Sequence, residues 1–216
     1  MVVAEGSTRR PRRKDARDNR DRIVAAARRR FSVDGIDASL NAIAREAGVS
    51  IGTLYNHFPT REALIDESLL EYVQDSVRSA EEALRSADPW EGMVGHLTYM
   101  AELQATHRGF TDLCVRTLPA DVPIEAVKAR GNQLFHELIL RVQESGALRS
   151  DVDVTDVGLL LWAVVRATDG VRELAPDAWR RHLAVLLDGL RAEAAHPLPG
   201  EPLDGEILRT AITLAR

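Results

Sequence analysis

The chain has 216 residues and a formal net charge of −5, and its 45% hydrophobic and 28% charged residues exclude an intrinsically disordered protein. Its single cysteine, Cys114, excludes an internal disulfide, and no apolar run reaches the roughly 20 residues of a membrane span, so we expect a cytoplasmic protein without membrane contact. The charge is uneven: residues 1–60 hold 12 basic against 7 acidic side chains and residues 61–216 hold 16 against 26, which favours a basic head that meets a polyanion.

The chain opens with an arginine-rich segment, residues 1–14, which also holds glycine, serine and proline and is predicted to be a disordered basic arm. Such a segment is compatible either with an arm that reaches a DNA groove or with a solvated tail. From about Asp15 to Val33 apolar residues recur at helical spacing, which predicts helix 1, and Gly35 is a typical residue for ending it.

Two short helices follow, and their spacing predicts a helix-turn-helix. Ser39 is a favourable N-cap for helix 2, which ends before Gly48, and Ser50 caps helix 3 over Ile51 to His57. Gly48 can adopt the positive φ that the tight turn needs. In this motif the second helix enters the major groove of DNA with its N-terminal end. We therefore predict a DNA-binding domain over residues 15–62.

Candidate DNA contacts come from the face of helix 3 that does not pack inward. Leu54 takes the buried face, so Tyr55 and His57 cannot lie there as well. Small residues let a helix approach the bases, and hydroxyl, amide and imidazole groups can reach phosphates and base edges. The candidates on helix 3 and its cap are Ser50, Gly52, Thr53, Tyr55, Asn56 and His57.

The stretch AIAREAGVSIGTLYNHF over residues 42–58, followed by TREAL over residues 60–64, resembles the signature of the TetR family of bacterial repressors. The resemblance is specific from about Arg20 to Leu70, and beyond it only the helical layout and the total length agree. It implies a ligand-responsive repressor that reads a palindromic operator as a homodimer.

The same resemblance assigns roles to individual residues. It implies that helix 3 is the recognition helix and that Tyr55 and His57 contact phosphates. Ser39 and Asn41 would begin the supporting helix. Arg61 stands where the family usually has lysine, and this exchange keeps the charge needed for a phosphate contact.

The remaining chain, residues 63–216, shows helical periodicity and almost no strand signals, so we predict an all-α protein. Its N-terminal three-helix helix-turn-helix domain precedes a C-terminal helical ligand-binding and dimerisation domain. The predicted helices of that second domain are numbered 4 to 10 in chain order. They run from Thr60 to about Leu84, Asp88 to about Thr106, Gly109 to about Thr117, Pro123 to Ser145, Asp153 to near Gly170, Pro176 to before His196, and Asp204 to Ala215.

Helices 8 and 9 are apolar on more than one face, which predicts that they form a homodimer interface of four helices. Such a dimer would hold two heads about 34–36 Å apart, the spacing of one turn of DNA. The apolar positions are Val157, Leu160, Leu161, Val164, Val165, Leu183, Leu186, Leu187 and Leu190.

Apolar and aromatic residues at helical spacing on helices 5 to 8 predict a cavity for a mainly apolar small-molecule effector, although any helical core has a similar pattern. An arginine could hold an anionic end of that effector, be paired with Asp169 or lie at the subunit interface. The candidate ligand-binding residues are Trp90, Met93, Met100, His107, Phe110, Arg116, Phe135, Trp162 and Arg166.

Two other functions fit parts of the sequence. Gly48-Val-Ser-Ile-Gly52 matches the nucleophile elbow of serine hydrolases, but that elbow needs a strand before its serine, and a helical pattern precedes Ser50. A metal-responsive repressor would need the dispersed residues His96, His107, Cys114 and His136 to converge, without the close pair on which metal sites usually depend. We therefore expect no catalytic residue, no cofactor and no metal.

Overall fold

The computed structural model describes residues 9–205 and 207, and for residues 9–14 and 194 it describes the backbone alone. The helices are α1 (Arg9–Asp34), α2 (Leu40–Glu46), α3 (Ile51–His57), α4 (Arg61–Arg85), α5 (Pro89–Thr106), α6 (Arg108–Val115), α7 (Pro123–Glu144), α8 (Val154–Thr168) and α9 (Ala178–Leu190), with 3-10 turns at Asp169–Val171 and Ala192–Ala194. Within this described part there is no strand, which confirms the all-α prediction. None of its helices is long and apolar enough to cross a lipid bilayer.

Helix α1 begins at Arg9, earlier than the predicted start at Asp15. The prediction of a disordered arm is therefore corrected for the backbone of residues 9–14, and residues 1–8 lie outside the described residues. Pro11 is compatible with this start because backbone N–H groups in a first helical turn have no helical acceptor. Most of the predicted last helix, from Asp204 to Ala215, also lies outside the described residues.

Polar caps begin the helices where the sequence predicted them. Ser39, Ser50 and Thr60 each accept, through the side-chain oxygen, a hydrogen bond from the backbone N–H three residues later. Asp88 accepts two such bonds at the start of α5. Each cap satisfies a donor that the helix itself leaves unpaired, which stabilises a helix by about 1 kcal/mol. Gly48 has a φ of +67°, as the turn between α2 and α3 requires.

One apolar core holds together the N-terminal domain over residues 15–62, which we call the head. The same core extends into the domain that begins at residue 63, which we call the body. Helices α1 to α4 contribute fully buried side chains, among them Phe31 and Leu54. Phe110 and Leu113 from α6 and Ile124 from α7 belong to the same core. The head is therefore packed against the body by buried apolar surface, which fixes its position relative to α6.

Helix α6 approaches α1 closely because Gly109 has no side chain. A Cβ atom at Gly109 would lie 3.0 Å from the Cβ atom and the backbone oxygen of Phe31. One turn later, Asp112 Oδ2 accepts a hydrogen bond from the backbone N–H of Ile36 at 3.1 Å. Arg116 forms an ion pair with Asp37, with Nη2 and Oδ2 2.9 Å apart. This set of contacts, which we call the α6 clamp, joins the body to the loop between α1 and α2.

A second core fills the body around α5. Met93, Leu97 and Ala101 on that helix are completely buried, so α5 runs through the centre of the domain. Helices α8 and α9 pack on it through Val157 and Leu183, while their opposite faces remain on the surface of the subunit.

Candidate DNA interface and ligand cavity

Helix α3 presents polar groups on one face and packs inward on the other. Leu54 is 1% exposed in the core, whereas the neighbouring Tyr55 is 48% exposed. Asn56 and Gly52 are exposed, and His57 is half-buried at the helix end. The predicted division between a core face and a solvent face is therefore present on α3.

The first turn of α3 is fixed by its cap. Ser50 Oγ accepts a hydrogen bond from the Thr53 backbone N–H at 3.1 Å and lies 2.9 Å from Thr53 Oγ1. Ser50 follows α2, so the strand of a hydrolase elbow is absent at this point and the hydroxyl serves as a helix cap. The hydrolase interpretation of the GVSIG motif therefore has no structural support.

The candidate DNA contacts outside α3 differ in their exposure and in whether they already bond to the protein. Ser39 and Asn41 are exposed at the start of α2. Arg61 is half-buried, and its Nη1 donates to the backbone oxygens of Ile36 at 2.9 Å and Ala38 at 2.7 Å. In this structure Arg61 therefore fixes the loop before α2, a role that the sequence did not predict.

Part of the positive charge of the head is neutralised inside it. Arg29 and Arg30 both donate hydrogen bonds to the carboxylate of Glu46. These bonds lower the pKa of Glu46, and the bond from Arg29 has the larger effect. Arg20 likewise bonds to Glu67 and lowers the pKa of that carboxyl. The excess of basic residues in the sequence therefore overstates the charge that these α1 side chains can offer to a polyanion.

The body contains a cavity of about 330 Å³ between α4, α5, α6, α7 and α8, and this cavity is partly open to solvent. Most of its wall is apolar. It is lined by Val73, Ser76, His96, Leu97, Met100, Gln104, Phe110, Leu113, Cys114, Val115, Lys128, Gly131, Asn132, Phe135, Val154, Thr155, Gly158, Leu159, Leu161 and Trp162, with Gly205 at its edge. The volume and the lining are typical of a site for a small molecule.

The structure brings four of the nine candidate ligand residues to this cavity, namely Met100, Phe110, Phe135 and Trp162. The other five do not line it. Met93 is a fully buried core residue. Trp90 lies under the guanidinium of Arg191, whose Cζ is 3.8 Å from the centroid of the Trp90 ring. His107 packs on the ring of Tyr72 at the junction of α5 and α6.

The two arginines expected to hold an anion are engaged elsewhere. Arg116 pairs with Asp37 in the α6 clamp, and Arg166 is exposed and pairs with Asp169 at 3.4 Å. Because neither lines the cavity, the expectation that one of them holds an anionic end of an effector is corrected. The pairing of Arg166 with Asp169 is one of the alternatives expected from the sequence, whereas Asp37 is too distant from Arg116 along the chain to be predicted as its partner.

The cavity instead carries polar residues that the ligand prediction missed. His96 is 5% exposed, and its Nδ1 lies 3.1 Å from Ser79 Oγ. Gln104 is 5% exposed on the same helix. Cys114 is exposed and forms part of the cavity wall.

The residues proposed for a metal site do not converge. His136 is exposed on α7, whereas His96 and Cys114 line the cavity and His107 lies outside it. In the chain as far as it is described, no three His, Cys, Asp or Glu residues are grouped so that they could hold a metal ion.

Burial of His96 predicts a measurable dependence of stability on pH. Desolvation lowers the pKa of His96 to about 4. An unfolded histidine has a pKa near 6.5, so between these values the unfolded state binds more protons, and stability falls as the pH falls. Between pH 7 and pH 5, the free energy of unfolding should drop by roughly 2 kcal/mol more in the wild type than in His96→Gln, which can keep a hydrogen bond to Ser79.

Urea unfolding at the two pH values would measure this difference. His136→Gln is the matched control, because His136 is exposed and its replacement should leave the wild-type pH dependence unchanged. Equal losses of stability in the wild type and His96→Gln would show that another group is responsible.

Two family profiles match the chain. One is described as bacterial regulatory proteins of the tetR family and matches residues 23–68, which include α2 and α3. The other is described as the C-terminal domain of SbtR-like transcriptional regulators and matches residues 88–192. The two matches fall on the head and on the body that contains the cavity.

Similar proteins agree with these matches. A TetR transcriptional regulator from Streptomyces coelicolor is 32% identical with a TM-score of 0.52, covering 80% of this chain and 98% of that structure. A gamma-butyrolactone receptor, described as ArpA-like, is 26% identical with a TM-score of 0.57, covering 82% of this chain and 90% of that structure. The HTH-type transcriptional regulator UidR of Escherichia coli K12 is 36% identical over 117 residues, which are 53% of this chain and 55% of UidR. The chain thus spans about half the length of the curated relatives it matches.

Proposed function

The chain belongs to the TetR family of bacterial DNA-binding transcriptional regulators, and on that premise we propose that it represses transcription from a palindromic operator until a small molecule releases it. The observation that carries this proposal is the exposed polar face of α3 beside its buried Leu54. Tyr55, Asn56 and His57 lie on a rigid helix that is capped at its start and packed into the head core, as a recognition helix requires.

Release by a ligand is supported by the position of the cavity. Phe110, Leu113 and Cys114 of α6 line it. Asp112 of the same helix and Arg116, which directly follows that helix, hold the loop between α1 and α2. A ligand that binds more tightly when α6 is shifted would move the head and weaken DNA binding by that difference in affinity. Helix α4 also borders the cavity and begins at the head, so it provides a second route for the same coupling.

A homodimer through α8 and α9 would complete the DNA-binding unit. Leu160 on α8 is 40% exposed and Val185 on α9 is 64% exposed, so the outer faces of these helices are apolar in a single subunit. Regulators of this family act as dimers on operator DNA. A two-fold pair of heads reads an inverted repeat whose half-sites are about 34–36 Å apart.

Selection of bound duplexes from a random pool tests the proposal directly. We expect the full-length protein to enrich an inverted repeat with half-sites about one helical turn apart. A pool without any enriched sequence, or with a single unrepeated site, would contradict the proposed reading of a palindrome.

Substitutions on α3 should then weaken binding to the selected duplex without changing stability. Tyr55→Phe and His57→Ala each remove a phosphate partner, which costs about 1 kcal/mol per half-site, so a dimer should lose roughly thirtyfold in affinity. Fluorescence anisotropy would measure the affinity and thermal unfolding the stability. Tyr99→Phe and His136→Ala in the body are matched controls and should bind as the wild type does. A parallel loss of melting temperature in the α3 variants would instead identify Tyr55 and His57 as packing residues.

A further inference from the structure

Gln104 places a polar group without a protein partner on the wall of the cavity. Its side chain is 5% exposed and lines the cavity, and among the described residues its Oε1 has no hydrogen-bond partner. Its backbone oxygen, in contrast, accepts a hydrogen bond from Thr111 Oγ1 at 2.9 Å, so the position of the residue is fixed. A buried carbonyl oxygen without a hydrogen-bond partner is unfavourable, and a ligand group that donates to it removes this cost.

The second deeply buried polar group of the wall is neutral. His96 Nδ1 bonds to Ser79 Oγ, and no described residue bonds to its other ring nitrogen. Because burial lowers the pKa of His96 to about 4, the ring carries no charge near neutral pH. Like the amide of Gln104, it can therefore address an uncharged polar group of a ligand.

The charge at the edge of the cavity is already balanced. Lys128 lines the wall, and its ammonium donates to the backbone oxygen of Arg116 at 2.6 Å and to Glu125 Oε1 at 2.7 Å. An anionic ligand would have to compete with the Glu125 carboxylate for this ammonium. It would also have to lose its hydration in a mainly apolar cavity, which is costly without an unengaged cation.

We propose that the effector is a neutral, largely apolar molecule that carries a hydroxyl group, and that this hydroxyl bonds to the side-chain amide of Gln104. An amide turned by 180° about its last bond exchanges a donor for an acceptor with little change of shape. A hydroxyl both donates and accepts, so it matches either orientation, whereas a carboxylate only accepts. The rest of the molecule would pack on Phe110, Phe135 and Trp162.

Three naphthalene compounds of similar size test this preference on the full-length protein without DNA. Naphthalene has no polar group, 2-naphthol adds a hydroxyl, and 2-naphthoate adds a negative charge. By calorimetry we expect 2-naphthol to bind about tenfold more tightly than either of the others, the gain of one hydrogen bond to a buried partner. Because Cys114 is the single cysteine and lies on the wall, 2-naphthol should also slow its alkylation by N-ethylmaleimide.

Substitution of the amide should remove the preference. In Gln104→Leu, and in the closer-shaped Gln104→Met, 2-naphthol and naphthalene should bind within about threefold of each other. Gln133→Leu is the control, because Gln133 is exposed on α7 and the tenfold preference should persist there. A preference that survives loss of the amide would overturn the proposal, as would tightest binding of 2-naphthoate, equal binding of naphthalene and 2-naphthol to the wild type, or binding of none of the three.

The inference rests on the proposed function only where it calls the ligand an effector. The fluorescence anisotropy of the selected duplex, measured with the protein and saturating 2-naphthol, distinguishes a failure of the ligand preference from a failure of the proposed function. If the compound binds through Gln104 and the DNA stays bound, ligand-controlled repression fails while the ligand preference stands. If the protein binds its palindrome and shows no preference for the hydroxyl, the ligand class fails while DNA recognition stands.

Discussion

Val185→Glu is expected to convert the dimer to a monomer and to lower operator affinity at least about hundredfold. Val185 is 64% exposed in the subunit, so glutamate should fold there without strain. In a two-fold interface through α8 and α9 the carboxylate would be buried twice without a partner, and an unpaired buried charge costs about 3–5 kcal/mol. A monomer then offers one head to the operator and loses half of the contacts.

Sedimentation equilibrium would measure the dissociation of the dimer, and fluorescence anisotropy would measure the affinity for the operator. Leu140→Glu is the matched control, because Leu140 is 45% exposed and lies on α7, which is not one of the two helices of the proposed interface. Val164 and Leu187 are less suitable sites for this test, since both are half-buried and pack on the core of their own subunit. A Val185→Glu protein that remains dimeric would place the interface on another surface.

Gly35→Ala should destabilise the protein by about 3 kcal/mol, which corresponds to a melting temperature lower by roughly 6–12 °C for a chain of this size. Gly35 has a φ of +78°, which costs any residue with a side chain about 1 kcal/mol. A Cβ atom there would also overlap Asp112 Oδ2 and displace the carboxylate from the Ile36 N–H, a charged hydrogen bond contributing roughly 2 kcal/mol.

Gly146→Ala separates the two causes. Gly146 has nearly the same φ, +76°, but no heavy atom lies within 4 Å of the Cβ position, so only the cost of about 1 kcal/mol should appear. In an Asp112→Ala background, Gly35→Ala should likewise cost only about 1 kcal/mol, because the displaced bond is already absent. Equal melting temperatures for Gly35→Ala and Gly146→Ala would show that the hydrogen bond between Asp112 and the Ile36 N–H adds nothing to stability.

The head could be predicted from its sequence because its signals are local. Ser39, Ser50 and Thr60 cap helices within three residues of themselves, and Gly48 adopts the positive φ that a turn of this length needs. Such interactions depend on neighbours along the chain, so their spacing predicts them. The predicted start of α1 at Asp15 was wrong because the composition of residues 9–14 is compatible with either a tail or a helix.

The cavity was only partly predictable, because helical spacing identifies buried faces but does not separate a filled core from an empty one. On α5, Met93 packs in the core and Met100 lines the cavity, although both recur at helical spacing. Gln104 was not predicted to line the cavity, because a polar residue in an amphipathic helix normally faces solvent. The role of Arg116 depends on the Asp37 carboxylate, which is close only in the folded chain, and periodicity carries no information about that contact. Helical spacing does indicate the pairing of Arg166 with Asp169, three residues later.

The α6 clamp also determines how this regulator can be rebuilt. A chimaera that joins its body to the recognition helix of another regulator must preserve the surface that meets α6, not only a suitable junction in the chain. The incoming domain needs a glycine where Gly35 stands and a carboxylate where Asp37 pairs with Arg116. If a ligand of this body releases DNA as proposed, chimaeras that lack these two groups should still bind their own operator but respond weakly to that ligand. A biosensor built by such an exchange should therefore retain residues 35–37.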